Sequence, residues 1–288
     1  MLEDRSVREL VEQRYSCRSY AGTPIPGETR DALSAFMVTH ATGPFGATVR
    51  LALIAATEDD QAALQGLGTY GFIRGATGYV VGAVEATRSM ALEDFGYVVE
   101  QVVLYATSLG LGTVWLGGTF TRSRFARAMR LQAGESLPAV VATGVIADRP
   151  RGLDTLIRRG AMADRRLTWD RLFFEGKLGV PLTREVAGAY GEVLEMVRQG
   201  PSASNKQPWR VLKADGIWRL YLERSRRYRR RNAIVGVADM QRIDMGIAMC
   251  HWALTAEELG LSGRWVREDL PERVVDGSQA LYIASWLP

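Results

Sequence analysis

The chain has 288 residues, 47% hydrophobic and 24% charged, with a formal net charge of +4. This is the composition of a soluble globular chain, long enough for one large domain or two ordinary ones and for a core that buries roughly 75% of the unfolded surface. So small a charge gives no independent argument for nucleic acid or a membrane surface. Cys17, Cys250, His40 and His251 lie in unrelated contexts, which offers no metal-ligand spacing and fits a reducing, cytoplasmic compartment. Residues 1–30 lack the apolar centre of a secretory leader, and no apolar run approaches the ~18 residues of a membrane span.

Ser6 to Arg14 predicts an amphipathic helix with Val7, Leu10 and Val11 on one face. It runs into Arg14-Tyr15-Ser16-Cys17-Arg18-Ser19-Tyr20, where two guanidiniums and a hydroxyl fall close together. Guanidinium forks suit phosphate and carbonyl oxygens, although a solvated basic helix end would also explain them. Cys17 has no evident base beside it and reads as packing. Pro24 and Pro26 lead to a second helix over Thr29 to His40. Val49 to Ala56 and Ala76 to Val84 read as strands, with a Gly-rich turn, Gly66 to Gly71, between them. Glu93 to Leu109 is a strong helix, closed by Gly110-Leu111-Gly112. Thr113 to Leu116 is a buried strand that ends at Gly117-Gly118, and Pro138 to Ala147 is a core strand followed by Arg149, Arg151, Arg158 and Arg159.

The next helix spans Thr183 to Gln199, with Gly200 as the C′ residue that stops it. After it comes Pro201-Ser202-Ala203-Ser204-Asn205-Lys206-Gln207-Pro208-Trp209, in which Pro208 favours an extended Gln207. Small side chains there admit a flat ligand to the backbone, and the amides suit heterocycle edges. The run Arg224 to Arg231 is strongly basic and reads as a solvated face or anion contact.

The loop Pro201 to Trp209 resembles the P-S-(small)-x-N-x-Q-P-W loop of the FMN-dependent nitroreductase family, and Arg14-x-Ser16-x-Arg18 resembles that family's opening signature. In the family the loop follows the second helix, yet here Gly43 to Val49 occupies that place without the Asn, the Gln or the Pro-Trp pair. An internal repeat accounts for the displacement. Asp94-x-Gly96 recurs as Asp244-x-Gly246, Leu109-Gly110-Leu111 as Leu259-Gly260-Leu261, and Trp115 as Trp265, each 150 positions later. That spacing implies two tandem copies of a unit of about 140 residues, far longer than a solenoid repeat.

The copies differ in what they keep. Arg165 to Trp169 stands where a second basic signature belongs, and Val266-Arg267-Glu268-Asp269 replaces the second glycine pair. The resemblance therefore implies an α+β fold of two nitroreductase-like halves, 1–160 and 161–288, forming a pseudo-dimer within one chain and sharing one FMN. It implies Arg14, Tyr15 and Ser16 near the phosphate and ribityl chain, and Arg18 near the pyrimidine edge, where it would stabilise the charge of the reduced flavin. Leu116, Gly117 and Gly118 would offer backbone N–H groups to N5, and Ser202, Asn205 and Gln207 would come from the other half. Tyr70 and Gly71 are further candidates for flavin neighbours. The implied activity is hydride transfer from NADH or NADPH through the flavin to a small organic acceptor, with no catalytic side chain, no metal, no nucleic acid and no membrane. A flavin-binding storage or sensing protein without turnover is the alternative.

Overall fold

A computed structural model describes residues 5–148, 165–224, 238–270, 273–275 and 278–288. Helix α1 (Val7–Gln13) starts at a capping box in which the Ser6 hydroxyl accepts from Glu9 N and the Glu9 carboxylate accepts from Ser6 N, each at 3.1 Å. Helix α2 (Gly27–Thr39) precedes β1 (Arg50–Ala55) and β2 (Gly78–Glu85). Then come α3 (Ala91–Ser108), β3 (Leu111–Leu116), α4 (Arg122–Ala128), β4 (Glu135–Ser136) and β5 (Val140–Val145). The second half contains β6 (Phe173–Glu175), α5 (Tyr190–Gln199), β7 (Trp209–Ala214), β8 (Ile217–Glu223) and α6 (Met240–Glu258). It closes with β9 (Arg264–Val266), β10 (Arg273–Val275) and β11 (Ser278–Leu287). The helix expected over Thr183 to Gln199 is broken. A one-turn helix, Arg184–Ala187, stops at Gly188, whose φ of +57° no ordinary side chain adopts without strain, and α5 restarts two residues later.

The two sheets repeat one topology. The first runs β1-β2-β5-β3 and the second contains the same path as β7-β8-β11-β9, antiparallel at every step. The alternation of β2 explains how the first sheet is covered on both faces: Val80 and Val84 join the core beneath α3, while Tyr79, Val81 and Ala83 join Phe125 of α4 on the other side. The chain thus has the α+β architecture of two tandem halves. The proposed division at residue 160 lies outside the described residues, as do Arg149, Arg151, Arg158, Arg159 and residues 225–231.

The halves meet where α3 crosses α6. A Cβ on Gly96 would stand 2.2 Å from the Ile243 carbonyl oxygen, and one on Gly246 would stand 2.0 Å from that of Glu93. The repeated glycines are thus what lets the two backbones touch. The repeated aspartates hold the loops beside this crossing. Asp94 accepts from Phe45 N at 2.9 Å and Ala47 N at 2.8 Å, and Asp244 accepts from Ala203 N at 2.9 Å. First-half α1 reaches across the seam, packing Val7, Leu10 and Val11 with Leu104 of α3 and Met196 of α5.

Burial pushes the Asp94 carboxyl up to about 6, against the opposing pull of its two backbone donors. The folded state therefore keeps this proton from about pH 4 to 6, where the unfolded chain has lost it, so this group makes stability fall as pH rises through that window. Asp94→Asn is expected to flatten that part of the profile in urea titrations at about pH 4, 5 and 6; equal slopes for both proteins would contradict it.

Candidate active site

The basic signature lies along the free edge of the first sheet. Ser16 forms a parallel bridge with Thr113 of β3, and Cys17 N donates to the Thr113 carbonyl at 2.9 Å. Gly112 makes this close approach feasible, since a Cβ there would fall 2.8 Å from Cys17 Sγ. Cys17 and Ser19 point into the protein, which leaves Arg14, Ser16 and Arg18 half-buried and Tyr15 exposed. Arg18 donates to the Ser16 carbonyl at 3.2 Å, and Tyr20 Oη donates to the carbonyls of Cys17 at 2.9 Å and Ala142 at 3.0 Å. Arg74 N donates to the Arg18 carbonyl at 3.0 Å, which brings the end of the loop carrying exposed Tyr70 and Gly71 alongside the signature.

Further along β3, Leu116 is buried in the core, so only its backbone can face a ligand. Gly117 sits against Met240 of α6, whose Sδ would be 2.5 Å from a Cβ at that position, while the Cβ direction of Gly118 is open. Arg122 reaches under this turn, donating to Pro138 O at 3.3 Å and to Gly117 O at 3.5 Å.

The loop from the other half arrives at the same helix. Ala203, held by Asp244, packs with Trp115 on the cluster that contains Met240 and Ile243. Met240 and Asp244 stand four residues apart, so they share one face of α6 about 6 Å from each other. The structure therefore sets the glycine turn of one half and the Ser/Asn/Gln loop of the other against the same helix face.

Within that loop the backbone departs from the expected course. Gly200 does end α5, but as the cap itself rather than the residue after it, with φ −52° and its Cα side against Val197 O and His251. Gln207 has φ +47° instead of the extended conformation that Pro208 favours, and Ser204 and Asn205 each have φ +52°. Side chains in this region cost on the order of 1–2 kcal/mol each, and strain of this kind gathers at ligand sites.

The amides explain what over-determines the loop. Gln207 is buried; its Oε1 accepts from Leu167 N at 2.7 Å, and its Nε2 donates to Arg165 O at 3.3 Å. Asn205 Nδ2 donates to Arg165 O at 2.8 Å, and Arg166 donates to Asn205 Oδ1 at 3.4 Å and to Gln199 O at 3.0 Å. Ser202 Oγ accepts from Gln207 N at 2.8 Å, which leaves its hydroxyl hydrogen available. Both amides thus grip residues 165–167, the segment that stands where the second half would carry a basic signature.

Four participants escaped the sequence reading. Arg210, paired with Glu223 at 2.6 Å, donates to Gln207 O at 3.0 Å and braces the loop end. Glu100 and His251 form a buried link described below. Gln241, 1% exposed on the same turns of α6, has neither amide atom hydrogen-bonded among the described residues. Its counterpart 150 positions earlier is Ala91, so a polar departure from the repeat was the available signal.

Two α+β halves crossed on paired glycines, with strand-edge and loop elements converging on one helix, define a nitroreductase-like fold. The chain belongs to the family described as "Putative TM nitroreductase", whose model matches residues 6–256. A structure titled a "putative nitroreductase" from Thermotoga maritima shares the fold at a TM-score of 0.61 with 16% identity, covering 98% of this chain and 93% of its own. A nitroreductase family protein from Clostridium difficile 630 matches 51% of this chain and 88% of its own at 20% identity and a TM-score of 0.40. A nitroreductase with bound FMN from Bacteroides fragilis matches 51% and 91% at 21% identity and a TM-score of 0.39. No curated protein matches the chain. No helix among the described residues is long and apolar enough to cross a membrane.

Proposed function

We propose that the protein is an FMN-dependent oxidoreductase that holds one FMN at the seam of its halves and passes a hydride from NADH or NADPH to a small organic acceptor such as a nitroaromatic or a quinone. The observation that carries this reading is the convergence of Gly117 and Ala203 on the face of α6 bearing Met240 and Asp244. The residues present fit the cofactor in three respects. Half-buried Arg14, Ser16 and Arg18 supply donors for a phosphate and a heterocycle edge, the open turn at Gly118 presents backbone without a Cβ, and Gln241 offers a buried amide that has no partner among the described residues. When bound, the flavin supplies the two-electron chemistry.

In this reading Arg18 places a fixed positive charge where negative charge develops on reduction. Ser202 offers a hydroxyl hydrogen that meets no acceptor among the described residues. Asn205 and Gln207 act as positioning residues, since their amides already hold Arg165 and Leu167. A cytoplasmic setting suits Cys17 and Cys250, both buried and unbridged.

Titrating apo-protein with FMN while following flavin fluorescence is expected to give one FMN per chain, and two would refute a shared site. Anaerobic stopped-flow reduction should then show bleaching by NADH or NADPH; bound flavin that neither nucleotide reduces would instead mark a storage or sensing protein. Arg18→Ala is expected to slow reduction more than it weakens FMN retention, and equal loss of both would remove the role assigned to Arg18. Gln241→Leu should leave the apo-protein as stable as wild type or more so, because it removes an unpaired buried amide. It should weaken FMN roughly tenfold, the worth of one or two hydrogen bonds. Unchanged FMN affinity would take Gln241 out of the site.

A further inference from the structure

A cavity of about 480 Å³ opens at the seam, with no residue of the Gly117 turn or of the Ser/Asn/Gln loop in its described lining. Among the described residues, its charged lining is Arg88, Glu93, Arg224, Asp239, Arg242 and Arg267. Two of these guanidiniums are neutralised. Arg242 forms a fork with the fully buried Glu93 carboxylate at 2.6 and 2.7 Å, and Arg224 pairs with Asp239 at 2.5 Å. The other two have neutral partners of a weaker kind. Arg88 donates to Phe45 O at 3.3 Å, and Arg267 rests 2.8 Å from the Met90 thioether, a poor acceptor. The lining therefore carries two positive charges beyond its own acids. The 18-residue helix α3 also starts at its edge, with Met90 as its N-cap and the acids Glu93 and Asp94 in its first turn, so the helix end adds no net positive charge to the lining. Leu281 and Ile283 add an apolar side.

The repeat shows where this cavity lies. Arg267 stands 150 positions after Gly117, and Met90 stands 150 positions before Met240. The contact of Arg267 with Met90 thus mirrors that of Gly117 with Met240. On the reading that FMN sits at Gly117, which this part of the argument rests on, the cavity is the counterpart of the flavin site. An arginine side chain now fills the place of the open glycine turn.

We propose that the cavity is a binding site for a small organic dianion, a phosphate monoester or a dicarboxylate, clasped between Arg88 and Arg267 with its carbon portion against Leu281 and Ile283. The two ion pairs keep Arg224 and Arg242 in place as the site's walls. Forked guanidiniums bind both head groups well, and the volume exceeds that of a bare ion.

The test is isothermal titration calorimetry on the FMN-loaded chain at matched ionic strength, since exposed arginines collect anions weakly and in proportion to dilution of salt. The probes are glycerol 3-phosphate, succinate and inorganic phosphate. Saturable binding of one molecule per chain is expected for glycerol 3-phosphate or succinate, and the preferred probe identifies the head group. Arg88→Ala and Arg267→Ala should each weaken it roughly tenfold or more, with FMN content unchanged. Both residues are exposed, so loss of the fold in both variants is not expected, and either one suffices for the test. No saturable heat with any probe, binding that survives both substitutions, or inorganic phosphate alone matching the organic probes would overturn the proposal. A second FMN displaced by these probes would overturn it as well, and would be seen independently in the flavin count. Failure of FMN to bind at all would fault the proposed function while leaving the anion titration readable on the apo-chain.

Discussion

Gly246→Ala is expected to abolish the folded state or to lower its stability by at least ~3 kcal/mol, because backbone, not a flexible side chain, occupies the space the methyl would need. The added Cβ would lie 2.0 Å from Glu93 O and 2.8 Å from Tyr97 N. Relief requires moving α6 away from α3, and that contact is the seam between the halves. Every element of the proposed flavin site on α6 would shift with it, so flavin content should fall along with the melting temperature. Gly96→Ala meets Ile243 O at 2.2 Å and should behave alike. Gly191→Ala is the control: it lies within α5, has ordinary φ and meets nothing within 4 Å. It should be neutral or stabilising by about 0.5–1 kcal/mol through helix propensity. A Gly246→Ala protein that melts with wild type would show that the helices do not cross as closely as described.

Glu100→Ala should cost about 3–5 kcal/mol, the range for stripping one partner from a buried charged or shared-proton pair. Glu100 and His251 are both fully buried. One Glu100 oxygen accepts from Trp115 Nε1 at 2.8 Å, and the other meets His251 Nε2 at 3.0 Å. The second ring nitrogen, His251 Nδ1, lies 3.0 Å from the Met196 carbonyl, which can only accept, so Nδ1 carries a hydrogen. The chain of contacts runs from β3 through α3 and α6 to α5, just before the Ser/Asn/Gln loop. Removing the carboxylate leaves the buried Trp115 indole N–H and His251 Nε2 without a partner and opens a cavity between the halves. Glu100→Gln keeps the volume and one acceptor, and should cost less than the alanine variant. Denaturant unfolding ranks the variants, and flavin content measured beside it reports whether the loop has moved. An alanine variant as stable as wild type would contradict the buried link.

The repeated elements were legible because local burial patterns announce them. The continuous apolar run of Ala76 to Val84 marks a strand covered on both faces, and the apolar stretch from Glu93 to Leu109 marks the helix that crosses its copy. The 150-residue recurrence of Asp-x-Gly showed that two helices carry the same constraint, though not what it was. Only packing reveals that Gly96 and Gly246 face each other's carbonyls while Asp94 and Asp244 hold loops on either side. The basic signature and the late loop were likewise visible as motifs, and so was their complementary survival in the two halves.

What those amides touch was not visible. Asn205 and Gln207 bond residues 40 or so positions earlier, and Gln207 takes a left-handed backbone that the following proline disfavours; local preference loses there to four hydrogen bonds made in three dimensions. Glu100 and His251 broke the repeat, since their counterparts are Cys250 and Gln101, so periodicity carried no sign of the pair. The sequence alone determined the class of fold, its duplication and the motifs that each half retained, because these are encoded in short-range spacing and burial. Which side chains hold other protein groups, and where two arginines line a cavity at the seam, were decided by tertiary structure, because each depends on the approach of segments that the chain separates by tens to well over a hundred residues.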